Sequence, residues 1–211
     1  MRKNVILGIA LLTTALFTTT GNAQTPDYFK QTSLEAGWGY NVPTSLLGGA
    51  SGSDYSGVSS FYAGARYEID ALWGVRGTYA FNKFSNDDNQ LNLKTGLTVH
   101  KLMAEATFNI SRAIQQQGPQ AFEVLTHAGL GLSFGASEQN SGSTDTMGSL
   151  QFGLMPTYHI NDRLSVHLDA TYVANFSQDY GFTGASAKLS GDGNTGGYFL
   201  ANIGLAYRLK K

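Results

Sequence analysis

The chain has 211 residues, enough for one domain of ordinary size, with 15 acidic against 14 basic side chains and no cysteine. The missing cysteines exclude a disulfide framework, a lipoprotein anchor and a thiolate metal site, and the near-neutral charge with no basic patch excludes nucleic acid as a partner. Only 14% of the residues are charged, against roughly 25% in soluble domains.

At the N-terminus, Arg2 and Lys3 precede an apolar run from Val5 to Phe17, and the segment from Thr18 to Ala23 is small and polar. Gly21 and Ala23 stand at −3 and −1 of a cleavage site, so residues 1–23 are expected to be a secretory signal peptide. The apolar run is shorter than the roughly 20 residues of a spanning helix. Residues 24–211 form the mature domain, and no later stretch is apolar enough to span as a helix.

Eight segments then alternate apolar and polar residues, the period of a strand with two unlike faces. In chain order their apolar registers run Leu34–Tyr40, Phe61–Ile69, Trp73–Phe81, Leu102–Ile110, Phe122–Phe134, Leu150–Ile160, Leu164–Phe176 and Phe199–Leu209. In the fourth, Leu93, Leu97 and Val99 fall in the opposite register to Leu102 and Ala104, which predicts a bulge near His100 or a segment projecting past the membrane. Pro156 in the sixth lacks the N–H a ladder needs, so a bulge or local gap is expected there. The connections 43–57, 83–91, 135–147 and 177–196 are long and polar, while Asp70-Ala71 and Asn161-Asp162-Arg163 are tight turns; 111–120 is intermediate.

The apolar register carries no Lys, Arg, Asp or Glu in any of the eight segments. Its aromatics gather toward the segment ends, with Tyr67, Trp73, Phe108, Phe122, Tyr158 and Tyr207 on the tight-turn side and Trp38, Phe61, Tyr79, Phe152, Tyr172 and Phe199 toward the long connections. A soluble barrel would need charge on its outward face. The expected fold is therefore all-β: an eight-stranded antiparallel transmembrane β-barrel, apolar register toward lipid, with short periplasmic turns and long outer loops. Its polar register then fills a narrow lumen.

That lumen would hold Arg66, Glu68, Arg76, Lys101, Glu105, Glu123, Asp169 and Arg208, together with His127, His159 and His167. Buried charges persist only when paired, so a network of Glu–Arg and His–carboxylate contacts is expected. The turn at Asp70-Ala71 is read as bringing Glu68 to Arg76, with Arg66 one pair further along, and the turn at 161–163 sets Thr157 opposite His167 and Met155 opposite Asp169. The network either rigidifies the barrel or forms a gated proton or ion path. Tyr62 and Tyr198 point inward and cap lumenal carboxylates, and His100 bonds to a loop.

No residue is read as catalytic. The histidines have no HxH or HxxxH spacing, so no metal site is expected, and no cofactor is indicated. None of the histidines has Ser two residues on, which removes the His-x-Ser pair of lipid A deacylases. Asp87, Asp88, Asp145, Asp179 and Asp192 in the long connections could bind Ca²⁺ only weakly, with no ligand spacing to define a site. Gly191-Asp192-Gly193 opens no helix and is not a phosphate loop.

With these segments the chain resembles the small outer-membrane β-barrel family of OmpA/OmpX type, in its stand-alone, porin-like form. The closing segment Tyr198 to Leu209 is the most family-like, similar to the signal read by the barrel assembly machinery, although it ends in Lys210-Lys211 rather than an aromatic residue. The resemblance implies a monomer in the outer membrane, among lipid and lipopolysaccharide. It also implies a non-enzymatic structural or surface-interaction role with at most a narrow pore. A small channel for ions or apolar solutes and a lipid A-modifying enzyme are the competing readings.

Overall fold

A computed structural model describes residues 30–44, 53–86, 95–115, 121–140, 142–186 and 194–209. The 1–23 segment, Asp87, Asp88, Asp192 and Lys210-Lys211 lie outside them. Eight strands form one closed barrel in sequence order: β1 (Gln31–Thr44), β2 (Gly57–Glu68), β3 (Trp73–Ser85), β4 (Gly96–Asn109), β5 (Phe122–Ser137), β6 (Thr144–His159), β7 (Leu164–Gln178) and β8 (Asn194–Arg208). Neighbours are antiparallel throughout, and β1 closes on β8 with Ala36 opposite Leu205. A short helix, α1 (Ile110–Gln115), joins β4 to β5. It starts at Asn109, whose Oδ1 accepts the Arg112 N–H at 3.0 Å, a side-chain cap for the first turn.

Two tight turns are pinned by one device. Asp70 Oδ1 accepts the N–H groups of Leu72 and Trp73, both at 2.8 Å. Asn161 Oδ1 likewise accepts those of Arg163 and Leu164, both at 2.9 Å. These side chains stand in for backbone partners within the turn. At Pro156 the β6–β7 ladder lapses between Leu154↔Ala170 and Thr157↔His167 and resumes in the same register. The missing N–H opens a gap without a bulge, so Met155 and Asp169 share the register without a recorded pairing.

The faces are inverted relative to a soluble barrel. Along β6 the exposure alternates almost without exception. In β7, Leu168 is 57% exposed while flanking His167 and Asp169 are 2% and 4%. The outward surface is a continuous belt including Leu150, Phe152, Leu154, Ile203 and Leu205. Rings meet near both edges of it, Trp73 with Phe108 at 4.7 Å and Tyr172 with Phe199 at 4.8 Å between centroids. The strands run 12 to 16 residues, more than the roughly 9–11 that a tilted strand needs to cross hydrocarbon. Their far ends therefore stand beyond the belt.

No bulge occurs at His100. β4 keeps one register with β3 and β5 from Leu97 to Phe108, so Leu97 and Val99 point inward along with Lys101. There they join Phe84, Met147, Val173, Tyr198, Leu200 and Phe182 in a buried apolar cluster that fills the long-loop end. His100 faces outward and bonds to the Tyr79 hydroxyl at 2.7 Å, across the ladder rather than to a loop.

Candidate functional site

Below the apolar cluster the interior is ionic. At its centre Arg76 donates from Nε to Glu35 Oε2 at 2.8 Å and from Nη2 to Asp169 Oδ2 at 3.0 Å, with Glu105 Oε2 3.6 Å from Nη1. Arg66 Nε lies 3.1 Å from the other Glu35 oxygen, an ion pair without hydrogen-bond alignment. His127 donates from Nδ1 to Glu105 Oε2 at 2.6 Å, and its Nε2 lies 3.3 Å from Asp169 Oδ1. Thr171 donates to Asp169, and Thr78 to Glu105 at 2.9 Å. The side chains come from β1, β2, β3, β4, β5 and β7, so the network cross-links the barrel through its interior.

The packing needs glycine opposite the large groups. Tyr62 hydrogen-bonds to Nε2 of His167 across the lumen. A Cβ on Gly204 would collide with both side chains, and one on Gly37 with the Tyr62 ring. Arg76 also lies over that ring, 5.0 Å from its centroid.

A second cluster closes the short-turn end. Glu123 accepts from Arg112 Nε at 2.7 Å, Asn109 Nδ2 at 3.0 Å and His159 Nε2 at 3.2 Å. Ser165 bonds to the other ring nitrogen of His159 at 2.7 Å. Higher in the barrel, Lys101 donates to Gln151 Oε1 at 2.5 Å. Beside Arg76 and Lys101 sits a cavity of about 20 Å³, room for one water molecule.

Of the eleven residues expected in the lumen, Arg66, Arg76, Glu105, His127 and Asp169 meet in the central network, and Glu123 and His159 in the lower cluster. Lys101 stands above the network on a neutral partner. His167 faces a phenol rather than a carboxylate. Glu68 does not reach Arg76. The turn spans Ile69 to Leu72, so Glu68 pairs with Gly74 and the two arginines face each other as Arg66↔Arg76. Arg208 is half-buried at the rim and donates to the Asp162 carbonyl at 3.1 Å.

Glu35, which holds both arginines, was the missing member; it is the single charge on the inward face of β1. Arg112 was hidden in a connection with no strand pattern. Tyr62 and Tyr198 do point inward, but neither caps a carboxylate: Tyr62 meets His167, and the Tyr198 hydroxyl is buried without a hydrogen-bond partner. Among the described residues no group of three or more His, Asp or Glu is arranged to hold a metal ion.

No family model and no curated protein matches the sequence. In fold the chain is similar to the crystal structure of Neisserial surface protein A, with a TM-score of 0.51 and 18% identity over 84% of this chain and 97% of that one. It is also similar to a major outer membrane protein from Thermus thermophilus, with a TM-score of 0.53 and 13% identity over 85% of this chain and 98% of that one. The chain thus has the fold of the small bacterial outer-membrane β-barrels.

Proposed function

We propose that the chain is an integral outer-membrane protein without enzymatic activity, whose role is structural or lies in contacts made by its long loops. The inverted faces carry this reading. In water, the belt through Leu150, Phe152, Leu168, Ile203 and Leu205 would be wet all round the barrel. In a bilayer the same belt is solvated, and a closed ladder satisfies the backbone without water. Short turns in the periplasm and long loops outside suit the asymmetry of the connections. Residues 1–23 would direct export, β8 would be read during assembly, and lipid and lipopolysaccharide would surround the product. A closed barrel leaves no sheet edge to pair, in keeping with a monomer.

The filled interior favours this role over the channel reading. Ions occupy the middle of the lumen, an apolar cluster one end and the Arg112–Glu123 pair the other. Cell fractionation with gel mobility tests the proposal. The mature chain should sediment with outer membranes and run faster unboiled than boiled. Recovery as a soluble periplasmic protein would refute it, and discrete openings in planar bilayers would favour the channel.

A further inference from the structure

The long-loop end of the lumen is completed by a residue that no strand supplies. Phe182 lies between β7 and β8 and is only 7% exposed. Its ring packs edge-on against Phe84 at 4.7 Å and Tyr198 at 5.9 Å between centroids. The carrying segment folds on itself: Tyr180 pairs with Ser186, and the Gly181 N–H donates to the Ala185 carbonyl at 2.9 Å. It leaves β7 through a kink. Ser177 has φ of 62°, in the left-handed region that non-glycine residues rarely adopt, and the register slips between Asn175 and Gln178. Its ties are made at the rim: Asp145 accepts the Asp179 N–H at 2.6 Å, and Ser137 donates to the Gly184 carbonyl at 2.6 Å.

Beneath Phe182 the floor is polar and incomplete. The Tyr198 hydroxyl, both side-chain polar atoms of Asn82 and Nδ2 of Asn175 are fully buried with no hydrogen-bond partner. Lys101, 2% exposed, lies over the Tyr198 ring at 5.6 Å. No described carboxylate is within 4.0 Å of its ammonium, whose hydrogen bond goes to the neutral Gln151. Buried polar groups ordinarily find partners, and each exception calls for a missing one. Apolar walls converging on a few polar groups are the make-up of a small-molecule site.

We propose that this mouth is a binding pocket for a small aromatic carboxylate, with Phe182 occupying the place of the ligand's ring when the pocket is empty. The incoming ring takes the Phe182 position against Phe84 and Tyr198. The carboxylate is directed toward Lys101, giving that cation a carboxylate in direct contact, with the Tyr198 hydroxyl and Asn82 amide as further donors.

The test is calorimetric titration of the folded mature barrel in micelles with phenylacetate and, as neutral control, 2-phenylethanol. Unboiled gel mobility confirms that each variant is folded. The wild type should bind phenylacetate saturably, one to one. Phe182→Ala should bind it at least tenfold more tightly, because the competing ring is gone. Both should prefer the acid to the alcohol at least tenfold. Lys101→Met should lose that preference, and Lys101→Arg should keep it. Equal affinity for acid and alcohol would overturn the proposal, as would absence of saturable binding. Binding by Phe182→Ala alone would also overturn it, since that is the behaviour of an engineered cavity.

Discussion

Replacing Arg76 by Met keeps an unbranched apolar stem and removes the guanidinium on which three buried carboxylates converge. Arg76 is 3% exposed and makes hydrogen bonds of 2.8 and 3.0 Å to Glu35 and Asp169. Hydrogen bonds to charged groups are worth about 1.5–3 kcal/mol each, so their loss amounts to about 3–6 kcal/mol. Removing one partner of a buried ion network costs about 3–5 kcal/mol by a separate route, because the remaining charges stay buried and uncompensated. The two ranges agree. At 1.4 kcal/mol per tenfold, the folding equilibrium constant should fall by about two to four powers of ten. Urea unfolding of the barrel in lipid vesicles can be followed by fluorescence of Trp38 and Trp73, both of which face outward in the belt. Adding Asp169→Asn should restore part of the loss, since Asp169 has lost its guanidinium partner whereas Glu35 keeps Arg66, with a coupling above about 0.5 kcal/mol. Arg76→Met within about 1 kcal/mol of the wild type would refute the account of the lumen, given the 3–5 kcal/mol expected of a broken buried pair.

Leu168→Arg should destabilise the vesicle-inserted barrel by about 2–4 kcal/mol if that position lies near the midplane. Its lumenal neighbour in His167→Gln should cost only about 1 kcal/mol, the worth of the Tyr62 hydrogen bond; both are read by the same urea titration. Gly204→Val should cost about 1–3 kcal/mol by overpacking against Tyr62 and His167, and pairing it with Tyr62→Ala should recover stability. Asp70→Ala removes the acceptor of two turn N–H groups and should lower the urea midpoint by an amount equivalent to about 1–2 kcal/mol.

Most of the architecture could be read from alternation, because a barrel wall between lipid and a packed lumen imposes period two on every strand. Leu164 to Tyr172 shows this directly, with its apolar register outside and His167 and Asp169 within. Alternation misleads where the inward face itself turns apolar. Leu97 and Val99 suggested a slipped register, yet they point inward to a cluster near the mouth, which no local pattern distinguishes from a bulge. The lumenal charges were recognisable one by one, but their partners were not. Glu68 and Arg76 are close in sequence, whereas Arg76 binds Glu35 and Asp169 from strands paired elsewhere in the ring. Turn length sets the register of one hairpin only. Which side chains meet across a lumen depends on the stagger of all eight strands.

The assignment of faces is the central claim, and the absence of cysteine in the chain makes it directly measurable. Single nitroxide labels at Leu150, Leu168 and Ile203, in the barrel reconstituted in bilayers, should collide with dissolved oxygen and be protected from a water-soluble nickel complex, the behaviour of lipid-facing sites. Labels at Leu150, Leu168 and Ile203 that relax with the nickel complex and not with oxygen would place those side chains in water and contradict the account.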